Sequence, residues 1–246
     1  MPNRYNAAVL GPLPTALVKL SVIVPVYNEV RTIAEVIDKV VALDLGGLEL
    51  ELIISDDGSN DGTREVITEI RSRHKVVRTH TSPANLGKGA AVRQGLALAT
   101  GDIILIQDAD LELNPQEYDR LLAPILEGRA TVVYGSRFLL HNPRIPLRTK
   151  LANRFLTLVT NVLYGARLSD METAYKVFRV EVVRSLKLRC VRFDFEPEVT
   201  AAVLRAGHRI VEVPISYDPR TPLEGKKVRF VDGVEAILTL VRGRFS

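Results

Sequence analysis

Residues 102–110 read Asp102-Ile-Ile-Leu-Ile-Gln-Asp108-Ala-Asp110. A short unbroken apolar run marks a strand buried on both faces, as in parallel sheets, and this one ends abruptly in two carboxylates. The same design recurs upstream. Leu20-Ser-Val-Ile-Val-Pro25 leads into Asn28 and Glu29, and Leu50-Glu-Leu-Ile-Ile-Ser55 leads into Asp56 and Asp57. Helical spacing fills the intervals: Ile33, Val36, Ile37, Val40 and Val41 after the first run, and Val66, Ile67 and Ile70 after the second. A weaker strand at Val76–Thr79 precedes the Ala-rich helix Ala90–Ala99, and Thr131–Tyr134 makes a fifth strand. Asn114-Pro115-Gln-Glu117 supplies a cap, Pro at the first helical position and Glu at the third, so a helix is expected to start there. Strands alternating with amphipathic helices imply an α/β fold, with a mostly parallel central sheet flanked by helices. The acids after strands one, two and four are then expected on one sheet edge, where ligands bind at the switch in strand order.

The second half is less regular. Leu147, Leu151, Phe155, Val159 and Val162 recur at helical spacing among Arg144, Arg148, Lys150, Arg154 and Arg167. Glu196–Ala206 reads as a helix, and Ile210–Tyr217 as an edge strand because Pro214 cannot donate to a central ladder. Val231, Val234, Ile237, Leu238 and Val241 predict a final amphipathic helix.

The chain has 246 residues, 46% of them hydrophobic, which excludes disordered and fibrous classes and suits one large α/β domain. Its single Cys excludes a disulfide scaffold and a Cys-built zinc site, and fits a reducing compartment. Residues 1–19 are read as a flexible arm, because Pro2, Gly11, Pro12 and Pro14 interrupt any signal-like run. The longest uncharged helix-like stretch, Phe155–Ala166, falls well short of the roughly 20 apolar residues a membrane span requires. The formal charge of +4 conceals an asymmetry: residues 1–123 carry 12 basic and 17 acidic side chains, whereas residues 124–246 carry 21 and 12.

Asp108 and Asp110 can approach one hard divalent cation, since Mg²⁺ takes one or two carboxylates together with substrate phosphates, and Glu112 offers a third oxygen donor. A bare D-x-D also occurs as an ordinary turn cap. Asp56-Asp57-Gly58-Ser59 can hold a base or ribose, although any tight turn selects the same residues. Pro25-Val-Tyr27-Asn28-Glu29 adds an aromatic face and a carboxylate to that edge. His74, His80, His141 and His208 have no metal-ligand spacing.

In this order and spacing the segments resemble family-two inverting glycosyltransferases. VPVYNE at 24–29, DDGSNDGT at 56–63, NLGKGAAVRQG at 85–95, DADLELNP at 108–115 and YGSRF at 134–138 carry the likeness. It continues through DMETAYKVFR at 170–179, FDFEPE at 193–198, EVPISY at 212–217 and RTPLEGKK at 220–227, which are similar to the branch containing dolichol-phosphate mannose synthase and other polyprenyl-phosphate sugar transferases. The resemblance implies a GT-A-like fold and a nucleoside diphosphate sugar donor of the GDP-mannose or UDP-glucose type. It implies Mg²⁺ or Mn²⁺ as cofactor and a polyprenyl or dolichyl phosphate as acceptor. Pro25, Tyr27, Glu29 and Asp57 would line the nucleotide site. Asp108, Ala109 and Asp110 would lie against the sugar diphosphate, with Asp110 and Glu112 on the metal. Arg137, Arg220 and Lys226 would meet donor or acceptor phosphates, and with Asp110 they form the expected catalytic set. Residues 20–246 are read as one glycosyltransferase domain, with 20–123 the nucleotide-binding half and 124–246 the acceptor- and membrane-facing half. One departure is Glu112, where the dolichol enzymes often carry a neutral group.

A phosphate monoester acceptor, with a second pKa of about 6, is already a nucleophile at neutral pH and needs no general base. A hydroxyl acceptor needs one, and Asp170, Glu172, Glu196 and Glu198 are the candidates, although Glu196 and Glu198 also suit a helix N-terminus. Arg220 and Lys226 equally fit a solvated loop. The stripe Arg144–Arg167 reads either as a helix lying in the headgroup layer or as a core helix with a solvated side. The resemblance favours the first, with peripheral attachment at the cytoplasmic membrane face, and it makes Val228–Phe245 a contact for membrane or a membrane-embedded partner. No nucleic-acid partner is expected. Rival readings are a dinucleotide-binding oxidoreductase, from Gly87-Lys-Gly89 opening a helix, and a non-catalytic nucleotide-sugar binding subunit.

Overall fold

The computed structural model describes residues 18–220 and 230–245. The expected arm lies outside them apart from Val18 and Lys19, and Lys19 already begins the first strand. Lys226 and the rest of the RTPLEGKK stretch beyond Arg220 also lie outside.

The strands are β1 (Lys19–Val26), β2 (Glu49–Asp56), β3 (Val77–Thr81), β4 (Ile103–Ile106), β5 (Val132–Ser136), β6 (Lys176–Arg179) and β7 (Ile210–Pro214). The helices are α1 (Ile33–Val41), α2 (Thr63–Arg73), α3 (Lys88–Leu98), α4 (Tyr118–Leu126), α5 (Leu147–Tyr164), α6 (Val180–Ser185), α7 (Phe195–Arg205) and α8 (Phe230–Phe245). The strands form one sheet in the order β3-β2-β1-β4-β6-β5-β7, so both halves of the chain contribute to it. Every neighbouring pair is parallel except the two made by β6. As expected, β7 is an edge strand, which lets it end in Pro214.

Period-two alternation divides the core. Val22, Val24, Leu52, Ile54, Leu105 and Val177 face one cluster with α1, α2 and α4, whereas Ile23, Ile53, Ile104, Ile106 and Phe178 face a second with α3, α7 and α8. Helices therefore cover both faces of the sheet, and four central strands are buried along their length.

This topology places the site. The chain runs from β1 outward to β2 and β3, then crosses back to β4 on the other side of β1, so the order reverses between β1 and β4. The carboxyl ends of six parallel strands share that edge. Because β6 runs the other way, the residues leading into it, Asp170–Tyr175, arrive at the same edge. The predicted helix start at Asn114 is a single 3₁₀ turn, Pro115–Glu117, with the Asn114 side chain accepting from Gln116 N at 3.1 Å before α4 begins. Among the described residues no helix is long and apolar enough to cross a membrane.

Candidate active site

The first wall of the site is the β1 and β2 strand ends. After β1 the chain turns sharply at Asn28, whose φ of +52° is left-handed. The turn is held from β2's side: Asn28 N donates to Ser59 Oγ at 2.9 Å, Asn60 N to Asn28 Oδ1 at 2.9 Å, and Glu29 N to Thr63 Oγ1 at 3.0 Å. Thr32 Oγ1 lies 2.9 Å from both Glu29 Oε2 and the Ala109 carbonyl, and so joins the β1 and β4 ends across the switch point. Pro25 is buried within β1 and Tyr27 is half-buried just beyond it. Asp57 is buried and both its oxygens accept backbone N–H groups, from Leu86 at 2.9 Å and Gly87 at 2.6 Å. Its carboxylate thus shapes the turn that opens α3. Gly87 is required in that turn: its φ is +112°, and a Cβ there would lie 2.5 Å from the Val191 carbonyl oxygen.

Beneath this wall Lys88 bridges two acids, 2.8 Å from Asp108 Oδ1 and 2.7 Å from Glu196 Oε1. Burial opposes the ammonium's charge, but the two carboxylates outweigh it and hold the group firmly protonated. Deeper still, Lys176 is fully buried, donates to the Met171 and Thr173 carbonyls and lies 4.4 Å from the centroid of the Tyr134 ring. Burial draws its pKa down, while burial and the charge of Glu196 push the neighbouring Glu172 up.

The second wall comes from the β4 and β7 ends. Arg220 spans the switch point, with Nη2 2.8 Å from Asp110 Oδ2 and Nη1 3.1 Å from Glu29 Oε2. Asp110 Oδ1 accepts from Glu112 N at 3.1 Å. Glu112 reaches instead toward the β7 extension, accepting from Arg220 N at 2.7 Å and from the Tyr217 hydroxyl at 3.1 Å. Among the described residues no group of three His, Cys, Asp or Glu side chains is arranged to hold a metal ion. Asp110, partly exposed at the strand end, still suits a cation that draws its remaining ligands from a bound diphosphate and water.

Arg137 closes the far side. Asp170, fully buried, takes Arg137 Nε and Nη2 at 2.7 Å each and its backbone N at 3.0 Å. Asp170 is oriented in turn by its own N–H, which donates to Glu212 Oε1 at 2.9 Å. The guanidinium lies 5.2 Å from the Tyr217 ring centroid and 5.7 Å from that of Phe138, leaving three of its five N–H groups beyond the Asp170 pair. It lines a cleft of about 260 Å³ with Phe138, Leu139, His141, Lys150 and Arg154, and among the described residues no acid lines that cleft.

The structure thus brings Glu29, Asp110, Glu112 and Arg220 into direct contact, and Ala109 beside them. Asp108 belongs to the Lys88 pair, and Arg137 to a neighbouring cluster joined through Tyr217. Of the candidate bases, Asp170 holds Arg137, Glu196 holds Lys88, and Glu198 accepts from Arg189 N and Cys190 N near the start of α7. Sequence reasoning gave no role to Lys88, Thr32, Tyr217 or Glu212; only Lys88 carried a signal, as the single cation between Gly87 and Gly89 where α3 begins.

Comparison with known proteins identifies the family. The family model described as glycosyl transferase family 2 matches residues 21–186. The chain is 31% identical over 228 residues to the dolichyl-phosphate beta-glucosyltransferase ALG5C of Trichomonas vaginalis, covering 84% of this chain and 67% of that protein. It is 25% identical over 229 residues to the glycosyltransferase AglD of Haloferax volcanii, covering 88% of this chain and 36% of that one. Among solved structures it superposes with a TM-score of 0.70 and 25% identity on glucosyl-3-phosphoglycerate synthase from Mycobacterium tuberculosis in complex with Mn²⁺, uridine diphosphate and phosphoglyceric acid, covering 92% of this chain and 78% of that one. The fold is GT-A-like, and the chain belongs to glycosyl transferase family 2 and is a glycosyltransferase.

Proposed function

We propose that the protein moves one hexose, with inversion, from a nucleoside diphosphate sugar to a polyprenyl phosphate at a membrane surface. One observation carries the acceptor assignment. The cleft of Arg137, His141, Lys150 and Arg154, lined by no acid among the described residues, adjoins an exposed apolar row, with Leu139, Leu140, Leu147, Leu151, Phe155, Leu158 and Val162 between 44% and 74% exposed. An anion site next to an apolar ramp matches a ligand with a phosphate head and a hydrocarbon tail. The relatives' names point the same way, and the uridine nucleotides bound in the structural neighbours favour a UDP-sugar donor.

In this reading residues 20–123 hold the donor and the later half holds the acceptor. Pro25, Tyr27 and Glu29 line the nucleotide, and Lys88 and Arg220 counter the diphosphate's charge. Asp110 would hold a divalent cation, Mg²⁺ or Mn²⁺, which would supply positive charge against that developing on the leaving nucleoside diphosphate. Arg137, fixed by Asp170, and Lys226 draw in the acceptor phosphate despite its repulsion from the donor, a positioning and electrostatic role. An acceptor oxygen forms the new bond to the anomeric carbon as the bond to the diphosphate breaks. No proton need move, because the acceptor is already ionised, and the carboxylates around Arg137 and Lys88 serve as anchors.

Incubation with radiolabelled UDP-glucose or GDP-mannose, Mn²⁺ and polyprenyl phosphate in phospholipid vesicles tests this. Label is expected in the organic phase, and Asp110→Ala is expected to lower the rate by about 100-fold or more. Label recovered only in water-soluble product would instead assign a small phosphorylated or hydroxyl acceptor and overturn the lipid reading.

A further inference from the structure

We infer that Glu112 is a positioning residue that clamps the Ser216–Arg220 segment onto the donor site, and that the cation is left to Asp110 alone among these carboxylates. The inference rests on the proposed donor reading for what Asp110 holds, but the clamp itself stands on geometry. Residue 112 makes three contacts with the segment: its Oε1 accepts from Arg220 N at 2.7 Å, its Oε2 from the Tyr217 hydroxyl at 3.1 Å, and its carbonyl from Asp218 N at 2.9 Å. The neighbouring Glu117 takes Ser216 N at 2.9 Å and Ser216 Oγ at 2.9 Å, and Arg120 donates to the Pro214 carbonyl at 3.0 Å. From the end of β7 onward the chain is therefore sewn to the stretch that follows Asp110.

The segment pinned in this way delivers the two side chains that link the site's clusters. Arg220 bridges Glu29 and Asp110, and the Tyr217 ring lies beside the Arg137 guanidinium. Both Glu112 oxygens carry donors from the segment, so a cation there would have to share them with the Arg220 N–H and the Tyr217 hydroxyl, whereas at Asp110 it competes with the Arg220 guanidinium, which a bound diphosphate can re-pair. Burial and the charge of Glu112 raise the Tyr217 pKa, so its hydroxyl remains a donor to the carboxylate.

The two roles separate on substitution. Gln can keep the clamp, its carbonyl accepting from Arg220 N and its amide donating to the Tyr217 oxygen, whereas Ala cannot. Two readouts are made on the whole protein: Mn²⁺ affinity in the presence of UDP, by electron paramagnetic resonance, and the rate at which a dicarbonyl reagent labels Arg220, by mass spectrometry. We expect Mn²⁺ affinity within about threefold of the parent in both Glu112→Ala and Glu112→Gln, with Arg220 labelled about tenfold faster in the Ala variant and within about threefold of the parent in the Gln variant. A tenfold loss of Mn²⁺ affinity in either variant makes Glu112 a ligand and overturns the inference. So does unchanged labelling of the Ala variant. If that variant fails to fold by circular dichroism, Tyr217→Phe removes one bond of the clamp and is expected to speed labelling by about threefold, no change again overturning it. Parent protein that binds no Mn²⁺ with UDP refutes the donor reading, while the labelling result still decides the clamp.

Discussion

Glu51 shows what one buried carboxylate contributes to the stability of this sheet. It lies at the amino end of β2, opposite the site, and is 4% exposed. Burial alone would raise its pKa, but donors from Ser21 at 2.5 Å, Thr100 N at 2.8 Å and Arg78 at 2.8 Å outweigh it and hold the carboxyl at about 2. A depressed folded-state pKa contributes stability above the unfolded value, near 4.5, which fades as pH falls toward 2. Glu51→Gln is therefore expected to lower the melting temperature at pH 7, and the gap should close progressively between about pH 5 and pH 2. Melting curves of both proteins across that range decide it, and a gap that widened toward acid would contradict the assignment. Residues of this kind also mark the limit of what the sequence reveals. Glu29 and Asp110 were legible because an acid directly after a buried strand must lie at the ligand edge. Lys88 was legible only as a cation between two glycines, and its bridge was not, since its partners Asp108 and Glu196 lie 20 and 108 positions away. Glu112 was legible as an oxygen donor, but the segment that claims its oxygens follows more than 100 residues later.

Helix α5 reverses the usual amphipathic arrangement. Its buried side is Asn153, Leu156, Thr157 and Thr160, with Thr157 Oγ1 accepting from Met171 N at 3.1 Å, while Leu147, Leu151, Phe155, Leu158 and Val162 stand in solvent. Of the predicted stripe only Val159 packs on the core, while Leu147, Leu151, Phe155 and Val162 are exposed, so the alternative of a core-facing stripe fails for most of it. Helix α8 packs against α5 and leaves Val234, Leu238, Val241 and Phe245 exposed. With Arg144, Arg148 and Arg154 exposed alongside, α5 suits an anionic headgroup layer, where each basic residue contributes about 1 kcal/mol and apolar side chains enter the acyl boundary. The protein is expected to co-sediment with anionic vesicles and to release at high salt. Leu151→Ser with Phe155→Ser should weaken that binding by roughly tenfold or more, since each apolar side chain contributes about 1–3 kcal/mol when buried. The melting temperature should change by no more than about 2 °C, as both sites are surface positions. Unchanged vesicle binding would remove α5 from any membrane surface. At this scale the sequence located both helices but could not orient α5, because periodicity gives a stripe without saying what covers it. It also passed over β6: four residues starting with a buried Lys and ending in Arg give no strand signal without their neighbours β4 and β5.

One sheet carries strands from both halves of the chain, so the acidic first half and the basic second half meet along a single edge. The meeting is already made within the protein by Arg220, a cation from the second half resting between Glu29 and Asp110 of the first. A divalent cation approaching Asp110 alone must compete with that guanidinium. A nucleoside diphosphate alone meets Asp110 and Glu29 as like charges. Arriving together, each offsets the other's cost, because the diphosphate offers Arg220 an anion and the cation offers Asp110 a replacement partner. Binding to the folded state raises stability by RT ln(1 + [L]/Kd), about 2.7 kcal/mol at 100 Kd, which for a chain of this size moves the melting temperature by roughly 5–10 °C. UDP and Mn²⁺ together are expected to give a shift of that order, greater than the sum of their separate shifts. Asp110→Asn should abolish the synergy while leaving the parent melting temperature within a few degrees, since the lost partner of Arg220 is partly exposed. Purely additive shifts would show that metal and nucleotide bind independently, which a cation shared between Asp110 and the diphosphate does not allow. Stabilisation by NADH with no response to UDP and Mn²⁺ would place a dinucleotide in the crevice instead. The same thermal scan therefore tests the donor, the metal and their coupling through one carboxylate.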